Sequence, residues 1–245
     1  MLESLKLDDP PRHGQSCDAG KTLNWLPCDD ERSFKNNMKD PEKKKYVESM
    51  GWETPGCFTY KMNSQGFRTD ELEYDPDSFV ALGCSFTAGI GLPLEMVWPS
   101  LISQKLNRQV FNLGVGGAGI DTVFRIADYW LPIIRPKFVT LLVPPIDRLE
   151  VMEDSNGDGN VIHPCDAHKD QFIKMWYASE ENSKNNARKN ILAIHSICDT
   201  LSIPLFVVSS GRLHSLDNSR DFMHQGPQGH IDLVKLFVEQ GIENV

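Results

Sequence analysis

The sequence is sparing with cysteine, and the six it has (Cys17, Cys28, Cys57, Cys84, Cys165 and Cys198) fall into no CxxC pair. That spacing matches no zinc pattern and no disulfide framework, so free thiols in a reducing compartment are expected. Long apolar runs are also missing. No stretch reaches the length of a membrane helix, and the acidic start, Met1 to Pro11, lacks the apolar segment of a signal peptide. The expectation is a cytoplasmic protein, although delivery to a virion or a host leaves no such mark either. Positive charge is in deficit: the net charge is −9 and the pI about 5.3. This argues against nucleic acid as the main partner. What remains is ordinary for a globular chain, with 40% hydrophobic and 24% charged residues. A chain of 245 residues can bury a core without metals or disulfides.

Two regions differ in texture. Residues 1–77 are rich in Asp, Lys, Asn and Pro, with mostly isolated apolar residues. They read as an accessory segment lying against the main domain, with a short helix entered at Pro41 and a strand around Cys57–Met62. Asn63-Ser-Gln-Gly66-Phe-Arg68 reads as a turn with Phe67 tucked inward. From Ser78 to the C-terminus, apolar strands alternate with amphipathic helices. Strands are predicted at Ser78–Gly83, Gln109–Leu113, Lys137–Val143 and Pro204–Ser209; helices at Leu94–Leu106, Ile120–Leu131, Ala187–Leu201 and Gln228–Gln240. This alternation implies an α/β fold with a mostly parallel sheet covered on both faces. Sites in such folds sit at the carboxyl ends of strands, which brings Ser85, Gly114–Gly119, Pro144–Arg148 and Ser209–Gly211 to one edge.

Three motifs fall on that edge or beside it. The first is Ser78-Phe-Val-Ala-Leu-Gly83-Cys84-Ser85-Phe-Thr-Ala-Gly89, a buried strand ending in a glycine turn that carries a serine. Cys84 and Ser85 face opposite sides of an extended chain, so Cys84 is assigned to packing and a cysteine nucleophile is the minor alternative. The second is Asn112-Leu-Gly114-Val-Gly116-Gly-Ala-Gly119, which also fits GxGxxG. Dinucleotide binding is the weaker reading, because an earlier strand has its own glycine-rich end and no acidic residue closes the following strand. Backbone oxyanion donors or a tight turn are the other two readings. The third is Asp221-Phe-Met-His224, in which Asp221 can fix the imidazole tautomer and His224 can take a proton from Ser85. A solvated loop is the bland alternative.

Taken together, Gly83-Cys84-Ser85-Phe86-Thr87, the Asn112–Gly119 loop and Asp221-x-x-His224 followed by Gly-Pro-Gln-Gly-His resemble the SGNH hydrolases, the GDSL-type esterases. Trp98-Pro-Ser-Leu and the Asn63–Arg68 lead-in add to the likeness. The resemblance implies a flavodoxin-like three-layer sandwich over residues 78–245 and ester hydrolysis through an acyl-enzyme, without a cofactor. It implies Ser85 as nucleophile, His224 as base and Asp221 as its partner. The N–H groups of Ser85 and Gly116, with Gly114 as second choice, would form the oxyanion hole. Small acyl esters, among them acetyl groups on carbohydrate, are the implied substrate class; no membrane partner is implied and the oligomeric state is undetermined. The chain departs from the pattern twice. Cys84 stands where the family has Asp, and Val143-Pro-Pro-Ile-Asp147-Arg148 stands where GxND would supply an oxyanion-binding Asn. Arg148 is the suggested replacement, with an Asp147–Arg148 ion pair as the alternative. An acyltransferase, or a binding protein on a degenerate scaffold, therefore stays open.

Two further features are weaker. Asp154, Asn156 and Asp158 match the first half of a calcium loop, but Cys165 falls where the closing Glu belongs, and a plain polar turn is the main reading. Among the histidines, His195 is read as surface or core, His230 as starting the last helix, and His214 as a second-choice base.

Overall fold

The computed structural model describes residues 9–152, 159–163, 166, 168–209 and 217–245. In chain order the elements are β1 (Thr22–Leu23), α1 (Glu31–Asn37), α2 (Pro41–Ser49), β2 (Tyr60–Lys61), β3 (Phe79–Leu82), α3 (Ser85–Ala88), α4 (Trp98–Leu106), β4 (Val110–Asn112), α5 (Ile120–Ile134), β5 (Phe138–Val143), β6 (Leu149–Met152), β7 (Gly159–Ile162), α6 (Gln171–Trp176), α7 (Glu180–Leu201), β8 (Leu205–Ser209) and α8 (Pro227–Glu239). The calcium-loop positions Asp154, Asn156 and Asp158, and also Cys165 and His214, lie outside the described residues.

The central sheet has the order β4-β3-β5-β8, and all three pairings are parallel. Every residue of β3 and β5 is buried, which explains why both read as unbroken apolar runs. Alternation along the strands divides the core. Val80, Leu82, Val139, Leu141 and Val143 pack with Val123, Ile126 and Leu131 of α5 and Ile194 of α7. Phe79, Ala81, Phe138 and Leu142 pack on the opposite face with Trp98 and Ile102 of α4 and Leu233 and Phe237 of α8. The result is a three-layer α/β sandwich with its mostly parallel sheet between helix pairs. The strand order reverses direction around β3, so the crevice for a ligand opens at the carboxyl ends of β3 and β5.

Several boundaries moved for local reasons. α7 starts at Glu180 instead of Ala187, because Ser179 caps it by accepting from the Glu181 N–H, and its first turns are polar. α5 runs past Leu131 through Pro132 to Ile134, and Arg135 closes it in the left-handed region. The predicted helix at Leu94–Leu106 is split at Val97, with a single 3-10 turn before Pro99 at the start of α4. The polar stretch after Arg148 holds an antiparallel hairpin, β6–β7, which lacks a clear hydrophobic alternation in sequence. α1 and α6 are short and were not legible by periodicity.

Residues 9–77 do more than line the surface. Leu26, Phe34, Val47, Trp52, Phe58, Tyr60 and Met62 form an apolar cluster with Ala88, Ile90, Leu92 and Val97, the chain that follows the β3 turn. Phe67 is fully buried in the main core. Arg68, 1% exposed, donates to the carbonyls of Gly89 at 2.7 Å, Leu92 at 2.9 Å and Thr59 at 3.2 Å, with its guanidinium 4.5 Å from the Tyr60 ring. Burial of this cation lowers its pKa to about 10.

His13 and His230 are buried and uncharged. Burial lowers the pKa of His13 to about 4 and that of His230 to about 3. His230 does not merely open the last helix: it sits inside α8 and its Nδ1 accepts from the Trp98 N–H at 3.0 Å, capping α4 where Val97 offers no side-chain oxygen. Above the ordinary imidazole value of 6.5 both are neutral in the folded and unfolded states; below it only the unfolded chain takes up protons. Stability should therefore be complete at pH 7 and fall as pH drops, by about 2 kcal/mol per histidine at pH 5. Urea denaturation at pH 7.5 and 5.0 checks this, and a His230→Gln variant should lose much of the difference its histidine contributes.

Candidate active site

β3 ends at Leu82, and the chain must reverse at once to enter α3. Gly83 makes that possible: its φ is +156°, and a Cβ there would lie 2.2 Å from Thr87 Oγ1 and 2.9 Å from Leu142 O. No other residue fits both the dihedral and the space. Cys84 is fully buried in the core shared with α5, and Ser85 begins α3, 4% exposed. The two side chains thus go opposite ways, with Cys84 in packing and Ser85 in a cavity of about 340 Å³.

His224 and Ser85 line that same cavity. His224 Nδ1 lies 2.5 Å from Asp221 Oδ2, and its ring meets Phe86 edge-on at 5.3 Å. Asp221 is 4% exposed and its carboxylate is saturated: Oδ1 accepts from Ser219 Oγ at 2.5 Å, Met223 N–H at 2.9 Å and His224 N–H at 3.1 Å. Burial works to raise its pKa, but the hydrogen bond and charge of His224, with Ser219 and Met223 N–H, outweigh it and hold the carboxyl below its ordinary value. When the imidazole is neutral, an ionised Asp221 places the ring proton on Nδ1 of His224, which leaves Nε2 as an acceptor.

The loop bearing this pair is braced by the N-terminal segment. Tyr46 Oη donates to Asn218 O at 2.5 Å and Asn37 Nδ2 donates to Asp221 O at 3.3 Å. Lys43 stands over the Phe222 ring at 4.9 Å, where Phe222 holds a φ of +58°. Gly91 packs behind the carboxylate, where a Cβ would lie 2.7 Å from Ser219 Oγ and 3.2 Å from Asp221 Oδ1.

The remaining predicted residues divide. Gly116 and Arg148 line the cavity; Gly114 does not. Gly114 N–H donates to Asn112 Oδ1 at 3.0 Å, and its α-carbon is packed against Thr87 and Ala88. The Arg148 guanidinium donates to Ala118 O at 2.9 Å, tying the loop that leads into β6 to the glycine loop rather than pairing with Asp147. Gly116 N–H donates to Gln15 Oε1 at 2.5 Å. Gln15, Leu26, Cys28, His163 and Met223 also line the cavity, and sequence reasoning gave none of them a place in the site. No motif marks them; Gln15 lies in an irregular stretch and His163 in a polar one. His195 is exposed and pairs with Asp199 at 3.0 Å. No group of three or more His, Cys, Asp or Glu suited to a metal occurs among the described residues, and no described helix is long and apolar enough to cross a membrane.

No protein-family model and no curated protein matches the chain. Solved structures are similar to it at low identity. AlinE4, an SGNH-hydrolase family esterase, is 17% identical with a TM-score of 0.37, over 70% of this chain and 83% of that one. TesA is 13% identical with a TM-score of 0.37, over 69% and 99%. A family two carbohydrate esterase from Cellvibrio japonicus is 12% identical with a TM-score of 0.35, over 70% and 62%.

Proposed function

We propose that the protein is a serine hydrolase of the SGNH type that cleaves esters of small acyl groups. One observation carries this reading: a histidine held at Nδ1 by a buried, ionised aspartate lines the same cavity as a serine set at the end of the central strand. In this reading Ser85 Oγ attacks the ester carbonyl carbon while His224 Nε2 takes its proton. The tetrahedral oxyanion collapses, and the proton passes from His224 to the departing alcohol. Water then attacks the acyl-enzyme, again losing a proton to His224, and the acid leaves with Ser85 restored. Asp221 stays ionised throughout and stabilises the imidazolium. The Ser85 N–H is one oxyanion donor. Leu26, Pro27, Phe86, Ile90 and Met223 give the cavity an apolar lining, which supports a short acyl chain rather than a charged group.

A fluorophosphonate probe with intact-mass detection tests the nucleophile. One adduct is expected on the wild type and none on Ser85→Ala. Absence of any adduct, under conditions that label a known serine esterase, would overturn the assignment. With p-nitrophenyl esters, acetate and butyrate should be turned over faster than decanoate.

A further inference from the structure

The oxyanion hole is where this chain departs most from the pattern it resembles. The asparagine expected after β5 is missing, and the Gly116 N–H is already donating to a side chain. That side chain is Gln15, from the segment before the sandwich, and it is 4% exposed. Its two polar atoms are in unlike positions. Oε1 accepts from Gly116 N–H, whereas Nε2 is buried with no hydrogen-bond partner among the described residues. The assignment of the two atoms is fixed by chemistry, because exchanging them would set an NH2 against an N–H. A buried donor without a partner is destabilising, so its retention beside a cavity calls for a ligand that completes it.

The backbone around Gln15 is rigidly placed. Ser16 N–H donates to His13 O at 2.8 Å, His13 N–H to Ser16 Oγ at 2.9 Å, and Asp18 N–H to Gln15 O at 2.9 Å. The His13 ring packs on Phe67 at 4.4 Å, and Arg125 Nη2 donates to Arg12 O at 3.0 Å. Gly66 approaches so closely that a Cβ there would lie 2.5 Å from Gln15 O. The carboxamide is thus fixed before any substrate arrives, which is what a transition-state donor requires.

We propose that Gln15 is a catalytic residue whose Nε2–H donates to the oxyanion formed at Ser85, in place of the missing asparagine and of a direct bond from Gly116. Gly116 N–H orients Oε1 and polarises the amide, so the donor strength of the loop is passed through the carboxamide to the reacting oxygen. The proposal rests on Ser85 as the nucleophile. It assigns the N-terminal segment a part in the chemistry itself.

Gln15→Glu separates the roles. It keeps an oxygen to accept from Gly116 N–H, but puts a carboxylate oxygen where the donor was. Gln15→Ala removes both atoms. Each variant should lower kcat for p-nitrophenyl acetate by about 100-fold or more. KM should stay within a few fold; Gln15→Glu buries a carboxylate and should melt below the wild type, so kcat is compared at a temperature where circular dichroism shows every variant folded. The rate of fluorophosphonate labelling should fall in parallel, since the phosphoryl oxygen uses the same donors. A Gln15→Glu enzyme within threefold of wild-type kcat would overturn the proposal, as would a Gln15→Ala enzyme faster than wild type, which would make the amide a plug on Gly116. Ser85-dependent activity that ignores both substitutions overturns this inference alone. A wild type as inert as Ser85→Ala overturns the hydrolase reading with it.

Discussion

Asp221→Asn should lower kcat by about four orders of magnitude while leaving the fold and the melting temperature nearly unchanged. The geometry dictates the mechanism of that loss. Oδ1 of Asp221 collects Ser219 Oγ–H, Met223 N–H and His224 N–H, three donors that only an oxygen can satisfy. An asparagine must therefore keep its oxygen there and turn its NH2 toward His224 Nδ1. Nδ1 then becomes the acceptor, the ring proton moves to Nε2, and the base that should receive the Ser85 proton already carries one. Steady-state hydrolysis of p-nitrophenyl acetate, with circular dichroism as the control for folding, reads both halves of the expectation. A binding protein on this scaffold would show no such loss, because the tautomer of His224 would matter to nothing. Fluorophosphonate labelling should slow together with turnover, since activation of Ser85 is common to both.

Much of this site was legible because its chemistry is local in sequence. Gly83-Cys-Ser carries its own turn, and Asp221 and His224 are three residues apart, so placing the proposed nucleophile and the proposed base with its partner beside one cavity needed only the rule that strand ends share an edge. The two central strands were legible for a related reason: burial on both faces makes β3 and β5 continuous apolar runs, while β4 and β8 at the edges are only partly buried. The N-terminal segment was not. Its apolar residues are isolated in sequence because they come from short helices, two-residue strands and turns, and they meet one another and the chain after β3 only in the folded cluster, with no periodic face. Gln15 gave no signal, since its place in the cavity depends on a contact with Gly116 about one hundred residues away, on a loop whose own motif suggested a free amide. Cys84 shows the reverse case, where strand alternation alone was enough to send it into the core.

The same long-range logic predicts a large stability effect at Arg220 and Asp29. Arg220 immediately precedes Asp221, is fully buried, and meets Asp29 with Nε at 3.0 Å and Nη2 at 2.5 Å. Its guanidinium lies 4.0 Å from the Phe58 ring and 4.5 Å from the Trp25 ring. Asp29 also accepts from Tyr60 Oη at 2.5 Å, Tyr60 Oη accepts from Gly91 N–H at 2.8 Å, and Arg220 N–H donates to Gly91 O at 2.9 Å. This closed ring joins the N-terminal segment, the chain after the nucleophile and the Asp221–His224 loop. Arg220→Met or Asp29→Leu strands the opposite charge in an apolar site, which costs about 3–5 kcal/mol. Either variant should therefore unfold at markedly lower urea, and kcat should fall because the loop that orients His224 loses its brace. The double variant should be less destabilised than the sum of the two singles, because no uncompensated charge is left buried. If the singles cost less than about 1 kcal/mol, the pair behaves like an exposed surface bridge, and the N-terminal segment would hold the catalytic loop through its apolar contacts alone.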